Sequence, residues 1–202
     1  MKKDNAKPIN TAFMVRAVVL LAVVLICLWY IKVYPIQPNM KNLEQILLSE
    51  AESHHAPAAP LTLQDSVTLG DITYQLAEVG PEQKLMLFPI RRGPFTRYAI
   101  AGMMASSSEW YGGVITVKDD TYLLIGGRNP DQMLAQIECS WEGGPSCTLN
   151  LPDSSTFLVS ALLNPAPDTQ NLNLQHIRFL DATGQDVTDT IQKDGWSIGS
   201  IQ

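Results

Sequence analysis

Fifteen consecutive residues without a charge or a strongly polar side chain, Ala17 to Ile31 (AVVLLAVVLICLWYI), constrain this 202-residue chain more than anything else in it. So apolar a stretch is stable only where water is excluded. Alone it is short for a membrane span, which needs about 20 residues. Its flanks extend it, because Phe13, Met14 and Val15 precede Arg16, and Val33 and Tyr34 follow Lys32. Long basic side chains at the ends of a span keep their stems in hydrocarbon and reach the headgroups with their charge. Residues 13–34 are therefore predicted as one transmembrane helix of about 33 Å, at 1.5 Å per residue. Trp29, Tyr30 and Tyr34 gather at its C-terminal end, where an aromatic belt belongs. Pro35 and Pro38 then end the helix.

Charge orients the span. Lys2, Lys3, Lys7 and Arg16 lie before it, and only Lys32 and Lys41 lie close behind. This bias predicts a cytoplasmic tail over residues 1–12 and everything after the span outside. A cleaved signal peptide has the same basic start and apolar middle. However, LWYIKVYPIQP follows the apolar core where a small-residue cleavage site would stand. Val24, Leu25 and Ile26 precede Cys27 without the small residue that lipoprotein processing uses. A buried helix of a soluble protein is the third reading.

The overall charge of −6 hides a split. Residues 1–34 carry five Lys/Arg against one acid, net +4, and the rest carry nine against nineteen, net −10. Phosphate backbones repel a domain this acidic, which argues against nucleic-acid binding. An anionic bilayer surface repels it too, unless a local basic patch intervenes.

Residues 35–60 read as a stalk. In NMKNLEQILLSEAES, Leu43, Ile46, Leu47 and Ala51 share one helical face, which would lie against the bilayer or the domain. HHAPAAP then reads as a semi-rigid linker. From Leu61 the texture becomes short runs rich in Val, Ile, Thr, Tyr, Phe and Leu. Strands are predicted near 72–79, 84–90, 96–103, 109–117, 121–126, 133–141, 146–151, 156–162, 173–180 and 186–191. Turn residues such as Gly80-Pro81, Lys118-Asp119-Asp120 and Pro152-Asp153 separate them. Residues 61–202 are thus expected to form a mainly β domain, either an antiparallel β-sandwich of immunoglobulin-like kind or a barrel.

Of three cysteines, Cys27 lies in the span and reads as apolar filler. Cys139 and Cys147 flank a Gly-Gly-Pro turn. Pairing Trp141 with Pro145 would set them directly opposite, at a separation that a disulfide tolerates, in a compartment that permits one. A disulfide is expected; two free thiols are the alternative.

Catalytic motifs are scarce. His54 and His55 fall in the linker, and His176 sits in a predicted strand with no nucleophile motif beside it. Asp181, Asp186, Asp189 and Asp194 gather near the C-terminus, but DATGQD lacks the ligand spacing of a calcium loop. No metal or cofactor is expected. Arg91, Arg92 and Arg97 bracket the turn RRGPFTR, the one basic spot on the acidic domain, and suit a phosphate, a polyanion or a partner's carboxylates. Trp110 and Tyr111, beside Gly112-Gly113, offer either an exposed aromatic platform for a ligand or, for Trp110, a core residue.

Three stretches, EWYGG (109–113), TYLLIGGRNPDQMLAQIEC (121–139) and HIRFLDATGQDV (176–187), resemble uncharacterised membrane-anchored extracytoplasmic β-sandwich proteins of Gram-positive-type bacteria. The resemblance implies an anchored sandwich and no known activity. The expected function is a non-enzymatic binding or interaction module, anchored in the lipid bilayer through residues 13–34. Its partner would be an envelope component or another membrane protein. The competing class is an envelope hydrolase or modifying enzyme using His176 and nearby carboxylates.

Overall fold

In a computed structural model the chain is described over residues 11–54, 59–105, 110–141, 146–164 and 174–192, with the backbone but not the side chains of 11, 130, 174–176 and 192. Helix α1 (Thr11–Val33) contains an apolar stretch, Ala12–Val33, none of which is buried by protein. It is long and apolar enough to cross a membrane, which suits an anchor or a signal sequence. Cys27 lies exposed on it.

The chain leaves α1 at Pro35 and immediately joins the domain. Ile36 is fully buried and forms an antiparallel bridge with Tyr98, with N–H to O distances of 3.0 and 3.1 Å. Asn42 stabilises this bend, donating its amide to the Pro35 carbonyl at 3.0 Å and accepting from the Gln37 N–H at 2.8 Å. Helix α2 (Leu43–Ser53) follows, with Leu43, Leu47 and Ala51 buried. These residues pack on Leu61, Ala77, Val79, Met86, Phe88 and Ile90. The segment expected as a stalk is therefore, through its helix, an outer layer of the domain. Of the linker, residues 55–58 lie outside the described residues.

The first sheet holds β1 (Leu61–Leu69), β2 (Ile72–Val79), β3 (Lys84–Arg92) and β4 (Tyr98–Ile100) in that order, with β5 (Met104–Ala105) also on β3. The second runs β10 (Thr156–Leu162), β7 (Asp120–Arg128), β6 (Trp110–Val117). The third runs β11 (Leu174–Leu180), β8 (Gln136–Trp141), β9 (Ser146–Asn150). Strand accounts for 46% of the chain, the sheets are antiparallel, and none of them closes into a barrel among the described residues.

The second sheet lies between the other two. Alternate residues of its strands face opposite cores, following the two-residue period of a strand. Trp110, Leu123, Ile125 and Phe157 meet Ile137, Cys139, Trp141, Leu149, Ile177 and Phe179 of the third sheet. Their neighbours Tyr111, Leu124 and Leu158 meet Tyr74, Leu76, Leu85 and Leu87 of the first. Burial on both faces explains why WYGGVITV and TYLLIGG read as nearly continuous apolar runs. Gly126 permits the close approach of β10, since a β-carbon there would stand 2.7 Å from Leu158 Cδ1 and 3.2 Å from the Phe157 carbonyl oxygen.

Two segments depart from expectation. β1 is a strand that residue patterning does not predict. A register shift between Leu63 and Ser66 interrupts its alternation. There Asp65 accepts the Leu158 N–H at 3.0 Å and Gln64 accepts the Thr156 hydroxyl at 3.0 Å, tying the first sheet to the second. Residues 186–191 are not a strand. Asp186 makes one bridge to Leu180, and its Oδ1 accepts the Thr188 N–H at 3.0 Å, starting the short helix α3 (Thr188–Gln192).

Candidate functional site at the helix–domain junction

The basic turn expected as a contact site lies against the end of α1. Between β3 and β4 the chain makes a single 3-10 turn, Pro94–Thr96, closed by the Gly93 N–H donating to the Arg97 carbonyl at 2.8 Å. Phe95 and Thr96 hold φ of 54° and 69°, the left-handed region that side chains with a β-carbon disfavour. Phe95 stands 85% exposed at the tip.

Three hydrogen bonds and a ring contact fasten this turn to the end of the helix. Arg97 donates through Nε to the Tyr34 carbonyl at 2.6 Å and through a terminal guanidinium nitrogen to the Pro35 carbonyl at 2.9 Å. Those carbonyls lie just beyond the end of α1, and that of Pro35 also accepts from the Asn42 amide. The Tyr30 hydroxyl donates to the Pro94 carbonyl. Its ring meets Phe95 edge-on at 5.8 Å and Tyr34 at 5.2 Å.

The three arginines thus divide. Arg97 is half-buried and engaged by the junction. Arg91 and Arg92 are exposed, and neither has an ion-pair partner among the described residues. Arg91 acts on Tyr74: burial pushes that phenol up, and the arginine's charge pulls it partly back. The two exposed guanidiniums remain available to an anionic group.

Trp110 and Tyr111 do not form an exposed platform. Trp110 is 5% exposed, with its ring 5.3 Å from Phe157 and 5.2 Å from Phe179. Tyr111 is 8% exposed and donates its hydroxyl to the Leu85 carbonyl and, at 2.8 Å, to that of Met104. In a sheet covered on both faces, adjacent residues point into adjacent cores.

Cys139 and Cys147 occupy directly opposed positions of β8 and β9, but both are free thiols and the expected disulfide is not formed. The interaction between the facing thiols, with burial, pushes the Cys139 thiol up, while the same interaction draws the Cys147 thiol down against its own burial. The turn between the strands, 142–145, lies outside the described residues, as does the side chain of His176, whose backbone pairs with Ser140.

The C-terminal carboxylates serve as turn staples. Asp181 Oδ1 accepts from the Thr183 N–H at 2.8 Å, the Thr183 hydroxyl at 2.7 Å and the Gln185 N–H at 2.9 Å. Asp186 pairs with Arg178 at 2.9 Å, and Arg178 also reaches Glu138 at 3.1 Å. Asp194 lies outside the described residues. Among the described residues no three His, Cys, Asp or Glu side chains gather as metal ligands would.

Residue patterning singles out the arginines and, separately, Tyr30 and Tyr34 in the aromatic cluster at the end of α1, but not Gly93 and Phe95, nor the docking of that cluster on a turn more than sixty residues later. Comparison with protein-family models, with curated proteins and with solved structures finds no match to this chain.

Proposed function

We propose that this chain is a single-pass membrane protein whose N-terminus is cytoplasmic and whose β domain stands outside as a non-catalytic binding or interaction module. The observation that carries the reading is the junction. An apolar helix that the protein leaves uncovered along most of its length runs directly into a folded domain and is fastened to it at its C-terminal end by Arg97, Tyr30 and the Ile36–Tyr98 bridge. A cleaved leader has no need of such joints with the mature domain. The basic excess before the helix supports the orientation. The stacking of sheet on sheet supports the likeness to anchored sandwich proteins, although that likeness names no ligand.

The partner would be an envelope component or a neighbouring membrane protein. Photo-crosslinking from positions across the exposed surface, in intact membranes, tests this part of the reading. A dominant adduct that recurs from one face of the domain supports an interaction module. Absence of any adduct from every exposed face contradicts it.

A further inference from the structure

We propose that the β3–β4 turn makes a second contact with the bilayer, Phe95 entering the interface beside the span while Arg91 and Arg92 meet anionic phosphate headgroups. The proposal rests on the reading of α1 as a membrane anchor.

Height is the first argument. Tyr30 lies three residues before Val33, the last residue of α1, and so about 4.5 Å below the helix end at 1.5 Å per residue. The carbonyl of Pro94 bonds its hydroxyl and the ring of Phe95 packs against its ring. When α1 spans a membrane, the tip of the turn lies level with Trp29, Tyr30 and Tyr34, at the depth where aromatic rings concentrate. An aromatic ring 85% exposed there is covered by lipid rather than by protein.

Charge is the second argument. A domain of net −10 is repelled by an anionic surface. At the point where the chain leaves the membrane, the local sign is reversed by Lys32, Arg91 and Arg92, all exposed. Asp71 stands beside them, its carbonyl accepting the Arg92 N–H at 3.0 Å, but within a Debye length, about 8–10 Å, the three cations outnumber it and set the potential that headgroups meet.

Rigidity is the third. Arg97 clamps the turn to two carbonyls at the end of the helix, and Gly93 makes room for the Tyr34 ring. The left-handed backbone at Phe95 and Thr96 is costly and turns the phenylalanine outward. Anchored both by α1 and by this tip, the domain cannot swivel freely about its tether. The exposed sheet surfaces then keep a set orientation to the membrane.

The test uses the full chain reconstituted in vesicles of phosphatidylcholine and phosphatidylglycerol, with and without brominated acyl chains. Loss of tryptophan fluorescence to brominated lipid in the wild type, compared with Trp29→Phe, reads the anchor. Phe95→Trp in the Trp29→Phe background, with the parent subtracted, reads the tip; far-UV circular dichroism confirms that both variants keep the β domain. The expected result is a several-fold loss of intensity from the introduced indole in brominated vesicles, with little loss to aqueous acrylamide. The double variant Arg91→Glu, Arg92→Glu in the same background should weaken the lipid quenching. Lipid quenching of Trp29 with acrylamide quenching of the introduced indole would overturn the inference and leave the anchor standing. Lipid quenching of neither would overturn both.

Discussion

Gly93 lies directly against the ring of Tyr34: a β-carbon on residue 93 would stand 2.3 Å from both Cδ1 and Cε1. Its φ of −92° suits any residue, so the requirement for glycine is one of space alone. Gly93→Ala is expected to push the ring and the turn apart and to lower stability by about 1–3 kcal/mol, the usual cost of overpacking. Thermal unfolding in detergent, with limited proteolysis at the 92–97 turn, measures both effects. An unchanged midpoint and an unchanged cleavage pattern would show that the turn does not dock on the helix.

Trp110 bridges the second and third sheets through Phe157 and Phe179. Trp110→Ala should cost about 3–5 kcal/mol, as large aromatic truncations in cores do. Denaturant unfolding reads the loss. A variant of wild-type stability would return Trp110 to the surface and to ligand contact.

The opposed thiols of Cys139 and Cys147 should react as a pair. The Cys147 thiol is the lowered one and is half-buried where Cys139 is buried, so a limiting alkylating agent should label Cys147 first. In protein that has not been alkylated, mild oxidation should join the two within one chain, read as the loss of two hydrogens in the intact mass. Two thiols that still alkylate fully after oxidation would mean that the strands do not hold them in register.

Hydrogen bonds from Thr188 and from Arg178 hold the Asp186 carboxyl at about 2, and those from Thr183 and Gln185 lower Asp181. Both folded-state values lie below the unfolded value of about 3.9. Their contribution to stability is therefore complete above pH of about 4 and lost as pH falls toward 2. Thermal midpoints of the wild type should fall across that window, and Asp186→Asn should flatten the fall. Parallel curves for the two proteins would place the acid sensitivity elsewhere.

The apolar helix, the antiparallel β character and most strand positions were legible because each rests on a local signal. An uninterrupted apolar run marks α1, and β-branched and aromatic runs between turn residues mark strands such as β2 and β10. β1 was hidden because Gln64 and Asp65 break its alternation, and their bonds go to Thr156 and Leu158, far along the chain. The stretch from Asp186 onward looked like a strand, yet a single carboxylate capping Thr188 turns it into a helix. The double-sided burial that takes Trp110 and Tyr111 off the surface depends on a third sheet, and no window of sequence contains that. At the junction, the arginines were visible as a cluster, whereas the assignment of Arg97 to the Tyr34 and Pro35 carbonyls is a tertiary fact.

A membrane-spanning α1 with the β domain outside gives the two termini different exposure in whole cells. Protease treatment of intact cells carrying different epitope tags on the two termini, paired with alkaline carbonate extraction, reads that difference. The C-terminal tag should be digested, the N-terminal tag protected, and the chain retained in the membrane pellet. A mature protein released into the medium without its N-terminal tag, or a C-terminal tag protected until the cells are lysed, would contradict that arrangement.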